Sequence, residues 1–237
     1  MTTIRSVVFN SLMIGSIIIA GILCLPVLVI SRRAARWITL TWCRCMFWLL
    51  HHVVGLTVEV SGTEHLVDGP AIYAAKHQSA LETFKLPLLL PQADIVLKRE
   101  LLMIPVVGWF MTSIGTVPVD RGAGARALRT MLTRARAAVE GGRSLLIFPE
   151  GTRTAPKTRQ AFHPGVAALY GDLDLPVVPI ALNTGYFWGR RSFQKRPGVA
   201  RIVFLPPIPP GLARREFMET LQHRIHGASE QLPGTTL

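Results

Sequence analysis

The chain has 237 residues, and its 26 Lys and Arg against 14 Asp and Glu give a formal net charge of +12. Hydrophobic residues make up 49% of the chain, which excludes a disordered or collagenous protein, because so much apolar surface offsets the entropy lost on folding. The three cysteines all lie in the apolar N-terminal part, so neither a disulfide framework nor a zinc site is expected. The composition predicts one folded domain with one accessory segment.

The N-terminal part is predicted to enter a membrane. No charged residue occurs from Ser6 to Ser31, and such a length crosses a hydrocarbon core of about 30 Å as a helix. Three arginines follow, and the positive-inside rule places that flank in the cytoplasm. A second apolar stretch, 37–56, contains Arg44 and three tryptophans, which is typical of an interfacial helix. We therefore expect residues 1–56 to form a two-helix anchor in the cell membrane. A cleaved signal peptide is disfavoured, because no small-residue cleavage site precedes the arginines.

Residues 57–237 are predicted to form one domain that faces the cytoplasm. Predicted β-strands alternate with helical patterns, the strands being 56–60, 71–75, 94–98, 116–119, 144–148, 177–182 and 201–205. The clearest helical pattern, 124–140, has apolar residues on one face and arginines on the other, and a second runs from 212 to about 231. This alternation predicts an α/β fold with a mostly parallel sheet flanked by helices. Its ligands are expected at the carboxyl ends of the strands.

Positive charge is concentrated in two stretches without acidic residues, one before Glu59 and the other at 175–215. Such a surface binds polyanions, either an anionic membrane or nucleic acid. The spacing and aromatic motifs of nucleic-acid-binding proteins are missing from the sequence, so the membrane is favoured and no nucleic-acid partner is expected.

The first candidate site follows the strand 71–75. His77 and Glu82 are five residues apart, and on one continuous helix they would point about 140° apart, so they must straddle a turn near Ser79. Glu82 would then orient one imidazole nitrogen while the other takes a proton from a substrate hydroxyl. Ser79 and Glu82 also have the spacing of a capping box, in which Glu82 only begins the helix. Both interpretations stay open here, and Ser79 as an acylated nucleophile is disfavoured because no nucleophile elbow surrounds it.

Two further candidate sites contain basic residues that could bind a phosphate. Gly151 and Arg153 follow the strand 144–148, where a glycine turn permits close approach and a guanidinium offers paired donors to a phosphate. Lys98 and Arg121 each follow a strand as well. We expect these side chains to converge on a phosphate at one edge of the sheet, the alternative being an ordinary solvated basic rim.

Read in order, four segments resemble the bacterial lysophosphatidate acyltransferases, a family of glycerophospholipid acyltransferases. They lie within about residues 70–185 and read KHQSALE, KRELLMIPVVGWFMTSIGTVPVDRG, LLIFPEGTR and VVPIALNTG. The resemblance implies that 57–237 is the catalytic domain, with His77 as general base and Glu82 as its orienter. It also implies a set of residues that bind the acceptor's phosphate: Lys98, Arg121, Glu150, Gly151, Thr152 and Arg153. Glu82 stands where the family usually has Asp, and Lys76 where Asn often precedes the histidine.

The implied reaction moves a fatty acyl group to the sn-2 hydroxyl of 1-acylglycerol 3-phosphate, giving phosphatidic acid in phospholipid biosynthesis. Acyl-CoA or acyl-acyl carrier protein would be the thioester cosubstrate, and neither a cofactor nor a metal is implied. The expected partners are the lysophospholipid acceptor, an anionic membrane and acyl carrier protein. One alternative is a different acceptor, such as lyso-ornithine lipid or a lysophospholipid with a head group. The other is a noncatalytic basic protein that binds membranes or nucleic acid.

Overall fold

A computed structural model describes residues 1–234, except for the side chains of residues 28, 29, 32 and 121. Seven strands form one sheet in the order β1-β7-β6-β2-β5-β3-β4. Their bounds are Leu56–Ser61 (β1), Ile72–Ala75 (β2), Ala93–Lys98 (β3), Thr116–Val119 (β4), Ser144–Ile147 (β5), Val177–Leu182 (β6) and Gly198–Phe204 (β7). Each overlaps a strand predicted from the sequence.

Eight α-helices accompany the sheet in the described residues. They are Thr2–Leu23 (α1), Leu25–Ile30 (α2), Arg32–Leu49 (α3), Ala80–Leu89 (α4), Val107–Ser113 (α5), Gly124–Glu140 (α6), Gly165–Leu173 (α7) and Arg214–Gln231 (α8). A π-helical turn, Leu50–Val54, joins α3 to β1. Helices α5 and α7 were not predicted, because 7 and 9 residues are too few to show a clear helical period.

The predicted α/β fold with a mostly parallel sheet is confirmed. Strands β2 to β6 run in one direction, and β6 with β7 is the antiparallel pair. The central strands β2, β5 and β6 are buried along their whole length, which is why they read as continuous apolar runs. The carboxyl ends of β2 to β6 therefore lie along one edge of the sheet, here called the carboxyl edge.

The sheet separates two layers of helices. Helices α6, α7 and α8 pack on one face around a core that includes Met131, Val166 and Phe217. Side chains of α3, α4 and α5 pack on the other face, against residues such as Tyr73 and Leu97. Helix α1 lies beside the turn Leu50–Val54, where Phe9 is fully buried.

The predicted single apolar helix over 6–31 is wrong in its extent. Helix α1 ends at Leu23, and a short second helix starts with Pro26 in its first turn, a position where proline's missing N–H costs nothing. Ser31 then caps α3 by accepting a hydrogen bond from the Ala34 N–H at 3.2 Å. Within the described residues, α1 is the one helix that is long and apolar enough to cross a membrane. The second stretch predicted for the anchor, 37–56, falls on most of α3, the π-helical turn and the first residue of β1, and the two-helix anchor stays a prediction.

Helix α1 has an inverted burial pattern. Its buried residues include the polar Ser6 and Asn10, whereas large apolar side chains point outward, among them Ile14, Ile18 and Ile19, each more than half exposed. An apolar outer face of this kind is unusual on a monomer in water and is typical of a surface that contacts lipid or another protein.

Candidate active site

His77 lies two residues beyond Ala75, the last residue of the central strand β2, at the carboxyl edge, and its main chain is held on both sides. The His77 N–H donates to Glu150 Oε2 at 2.9 Å. The Thr154 N–H donates to the His77 carbonyl at 2.8 Å. The segment 150–154 therefore fixes the main chain of His77 independently of the imidazole ring.

The imidazole ring is held by Glu82. Its Nδ1 atom lies 2.9 Å from Glu82 Oε1, and Glu82 is fully buried. The same oxygen accepts from the N–H groups of Gln78 and Ser79 at 2.7 and 2.6 Å, so the capping box that begins α4 is present as well. One carboxylate therefore both caps the helix and contacts the ring, so the two contacts expected from the sequence are present together.

Two other residues complete the surroundings of this pair. The Thr184 hydroxyl, just beyond β6, donates to Glu82 Oε2 at 2.6 Å. The Phe148 ring stacks on the imidazole with 4.1 Å between ring centres. The His77 side chain remains 15% exposed, and its Nε2 atom has no hydrogen-bond partner among the described residues. The geometry thus gives a fixed imidazole with one nitrogen available.

The turn after β5 contains three of the residues predicted to bind phosphate. Gly151 has φ +66°, a conformation that favours glycine, and its N–H donates to the Phe148 carbonyl at 2.9 Å. Thr152 is half-buried in the same turn. Glu150 is fully buried and accepts hydrogen bonds from groups of the protein itself.

The basic residues predicted to bind phosphate lie on neighbouring segments of the carboxyl edge. Lys98, the last residue of β3, is 47% exposed and lies 3.1 Å from Glu100. Arg153 is half-buried, and its pKa lies below the ordinary value. Burial is the main cause; the charge of Glu82 opposes it and the charge of Arg190 adds to it. The side chain of Arg121 is outside the described residues, and its main chain lies two residues beyond the end of β4.

Two cavities flank this part of the carboxyl edge. A cavity of about 300 Å³ lies among α1, α3, α4 and α5, and its walls are almost entirely apolar, with Arg153 as the charged exception. A second cavity, of about 320 Å³, opens on the other face of the sheet beside α6 and α7, and Phe148 and Gly151 line it. The second cavity therefore reaches Phe148, the residue that stacks on His77, and the first reaches Arg153.

Residues 57–183 match the acyltransferase family. The chain is 35% identical over 208 residues to a 1-acyl-sn-glycerol-3-phosphate acyltransferase of Pseudomonas aeruginosa, with 86% of this chain and 80% of that protein covered. The chain belongs to the acyltransferase family. The acyltransferase is also 34% identical over 169 residues to the enzyme of that name in Saccharomyces cerevisiae, with 70% of this chain and 54% of the relative covered.

The fold of the acyltransferase also matches a crystal structure. The 1-acyl-sn-glycerophosphate acyltransferase of Thermotoga maritima superposes with a TM-score of 0.76 at 20% sequence identity. The match covers 97% of this chain and 95% of that one, so it includes the N-terminal helices as well as the sheet.

Several residues around His77 were not predicted as site residues, although Phe148 and Thr184 lie within two of the four segments quoted above. Thr184 is 102 residues from Glu82 in the sequence, and Phe148 contacts His77 only because β2 and β5 are neighbours. His226 of the acyltransferase lies near Glu150 but belongs to α8, far from the four motifs. Strand order, which the sequence does not reveal, brings these residues together.

Proposed function

We propose that the chain transfers a fatty acyl group from a thioester donor to the sn-2 hydroxyl of 1-acylglycerol 3-phosphate, forming phosphatidic acid. The names of the relatives support this acceptor. The observation that carries the chemistry is the His77–Glu82 contact, in which a buried carboxylate holds Nδ1 and leaves Nε2 available.

In the proposed mechanism, His77 is the general base. The Nε2 atom removes the proton of the acceptor hydroxyl as its oxygen forms a bond to the thioester carbonyl carbon. The carbon–sulfur bond then breaks, and the imidazolium returns the proton to the leaving thiolate. Glu82 keeps the proton on Nδ1 and stabilises the imidazolium while it exists. The acceptor hydroxyl attacks the thioester directly, so no acyl-enzyme intermediate is formed.

The acceptor's phosphate is proposed to bind at the carboxyl edge. Arg153 is the best-supported ligand, because it is half-buried, electrostatically coupled to Glu82 and close to the apolar cavity. Lys98 and Arg121 follow the paired strands β3 and β4 and supply further positive charge. The turn at Gly151 and Thr152 allows the phosphate a close approach to the main chain.

The cavity among α1, α3, α4 and α5 is proposed to receive an acyl chain. Its volume of about 300 Å³ and its apolar walls suit a hydrocarbon tail. Because Arg153 lies on its wall, a chain in this cavity would have its polar end near His77.

The enzyme is proposed to work at the cytoplasmic surface of a membrane, with residues 1–56 as anchor and 57–237 as catalytic domain. The outward apolar face of α1 would enter the lipid, and Trp37 and Trp48 of α3, both more than 60% exposed, suit the interface. Arginines near the start of α3 favour the cytoplasmic side. Acyl carrier protein is proposed as an alternative donor to acyl-CoA, since it is acidic and this chain is basic.

An acceptor panel tests this proposal. The purified enzyme in lipid vesicles would receive acyl-CoA or acyl-acyl carrier protein together with 1-acylglycerol 3-phosphate, lyso-ornithine lipid or a lysophospholipid with a head group. We expect phosphatidic acid as the main product by mass spectrometry. Preferential acylation of another lysolipid would overturn the proposed acceptor, and transfer to none of them would favour a noncatalytic membrane-binding role.

A further inference from the structure

Three buried ionisable side chains lie behind His77 and take no part in the proposed proton transfer. Lys76 is 2% exposed, Glu150 is fully buried, and the His226 side chain is 8% exposed. They come from the end of β2, from the turn after β5 and from α8. Charged groups are rarely buried unless they are paired, and their burial costs free energy, so a function for the cluster is expected.

Glu150 is the centre of this cluster. Its Oε1 atom accepts from Lys76 Nζ at 2.9 Å and from the Thr154 hydroxyl at 3.2 Å, while Oε2 accepts from the His77 N–H at 2.9 Å. The Glu150 carboxylate is thus surrounded by donors from the protein. Such a carboxylate has little capacity left for a ligand, and its negative charge is unsuited to direct contact with a phosphate.

Lys76 supplies the opposing charge, and His226 lies near the same carboxylate. Lys76 Nζ is also fixed by the Thr158 carbonyl at 3.0 Å. His226 Nε2 lies 3.7 Å from Glu150 Oε1, too far for a hydrogen bond, and is buried without any hydrogen-bond partner in the described residues. Burial by itself raises the pKa of Glu150, but His226, Lys76 and the His77 N–H together hold that pKa below its ordinary value.

The hydrogen bonds of Glu150 and Thr154 reach the main chain of His77 on both of its sides. Glu82 fixes the imidazole ring separately. The position of Nε2 is therefore defined by two carboxylates, one acting on the ring and the other on the backbone from which the ring extends.

We propose that Lys76, Glu150 and His226 form a positioning network that holds the main chain of His77, with Glu150 as its anchor rather than as a ligand of the acceptor's phosphate. The inference rests on the proposed function, because it takes His77 as the base. It also accounts for Lys76, which departs from the family's usual residue, as the main counter-charge of Glu150.

Steady-state kinetics of Glu150→Gln separate an anchor from a ligand. We expect kcat per folded molecule to fall at least about tenfold, with the KM for 1-acylglycerol 3-phosphate changed by less than about twofold, because a displaced base loses transition-state stabilisation without losing acceptor binding. A raised KM with an unchanged kcat would identify Glu150 as a phosphate ligand and overturn the proposal. A wild-type kcat per folded molecule would overturn it as well.

A double variant tests the role of Lys76. Glu150→Gln leaves the Lys76 ammonium buried without its counter-charge, so adding Lys76→Met is expected to restore thermal stability. The double variant should keep a low kcat, because the side-chain amide of the glutamine at position 150 still holds the His77 N–H less firmly than a carboxylate does. Recovery of kcat together with thermal stability would overturn the proposal, because it would show that Lys76 and Glu150 form an ion pair that only stabilises the fold.

Hydrogen exchange provides a readout that does not depend on activity. In Glu150→Gln, peptides that contain the His77 amide are expected to exchange faster, while peptides of α6 stay unchanged. Glu219→Gln is the matched control, because it removes a carboxylate of α8 that pairs with Arg215 at the surface. Unchanged exchange at the His77 amide would overturn the network, whichever lysolipid the enzyme acylates. If only the proposed acceptor were wrong, the faster exchange at His77 would still be observed.

Discussion

At the scale of single residues, Glu82 shows how two functions share one side chain. Its Oε1 atom binds the imidazole of His77 and also caps α4, and its Oε2 atom is held by Thr184. Glu82 is one carbon longer than the aspartate usual in the family that the sequence resembles. The longer side chain still places Oε1 2.9 Å from Nδ1, because Glu82 lies in the first turn of α4, just after Ser79.

Substitution of Glu82 by glutamine separates the two functions. Glutamine retains an acceptor for the cap but carries no charge to stabilise an imidazolium. We expect Glu82→Gln to lower kcat by about 10- to 1,000-fold and the free energy of unfolding by about 1–3 kcal/mol. Kinetics and urea unfolding of the same preparations check both values. A kcat within twofold of wild type would mean that Glu82 serves only as a helix cap.

Lys195 is a buried residue whose pKa in the folded state can be tested by the pH dependence of stability. It is 3% exposed, its Nζ donates to Asn10 Oδ1 of α1 at 2.6 Å, and it lies over the Trp188 ring. Burial lowers its pKa to about 8, below the usual value of about 10.4. Between these two values the unfolded chain binds more protons than the folded one, so the free energy of unfolding should rise with pH.

The comparison with Lys195→Met isolates this contribution. Urea unfolding from pH 7 to pH 10 is expected to give a steeper rise in the free energy of unfolding for the wild type than for Lys195→Met. Equal slopes for the two proteins would show that Lys195 keeps an ordinary pKa in the folded state.

At the scale of elements, one face of α1 packs on the rest of the protein and the other face is apolar and exposed. Ser6 and Asn10 bond to the segment around Lys195, while Ile14 and Ile18 point outward. Because α1 also lines the apolar cavity among α1, α3, α4 and α5, deletion of residues 1–56 would disturb the rest of the fold as well as remove the proposed anchor. Substitutions on the outer face alone are therefore the sharper test of membrane binding.

The double variant Ile14→Glu/Ile18→Glu places two charges on that face. We expect it to lose most of its flotation with anionic vesicles and to keep its thermal stability, because charges in hydrocarbon are costly and these side chains are exposed in the protein. Ala137→Glu/Thr133→Glu is the control, since it adds the same charge to exposed positions of α6. Flotation equal to wild type in the first variant would mean that the basic surface suffices for binding.

Elements differ in how well the sequence predicted them. The strands were found because β2, β5 and β6 are buried on both faces and form unbroken apolar runs. Helix α6 was predicted with its observed bounds, because its buried and exposed faces alternate with the helical period. The end of α1 at Leu23 was missed, because composition alone does not show where an apolar segment turns.

At the scale of the whole molecule, the sheet keeps α6, α7 and α8 on the side away from α3, α4 and α5. His77 lies at the carboxyl edge, and only its pairing with Glu82 could be predicted, because both residues belong to one short segment. Thr184, Phe148 and His226 approach this segment through strand order and helix packing. Thr184 and Phe148 lie in two of the quoted segments, but the sequence does not show which residues these segments contact.

The most direct test of the central claim is acyl transfer by the wild type and by His77→Ala, measured with 1-acylglycerol 3-phosphate and each thioester donor. Phosphatidic acid would be quantified by mass spectrometry, and thermal unfolding would verify that both proteins fold. We predict that the wild type forms phosphatidic acid and that a folded His77→Ala loses at least about 1,000-fold in kcat, as expected for the removal of a general base. Phosphatidic acid formed by a folded His77→Ala at the wild-type rate would contradict the account.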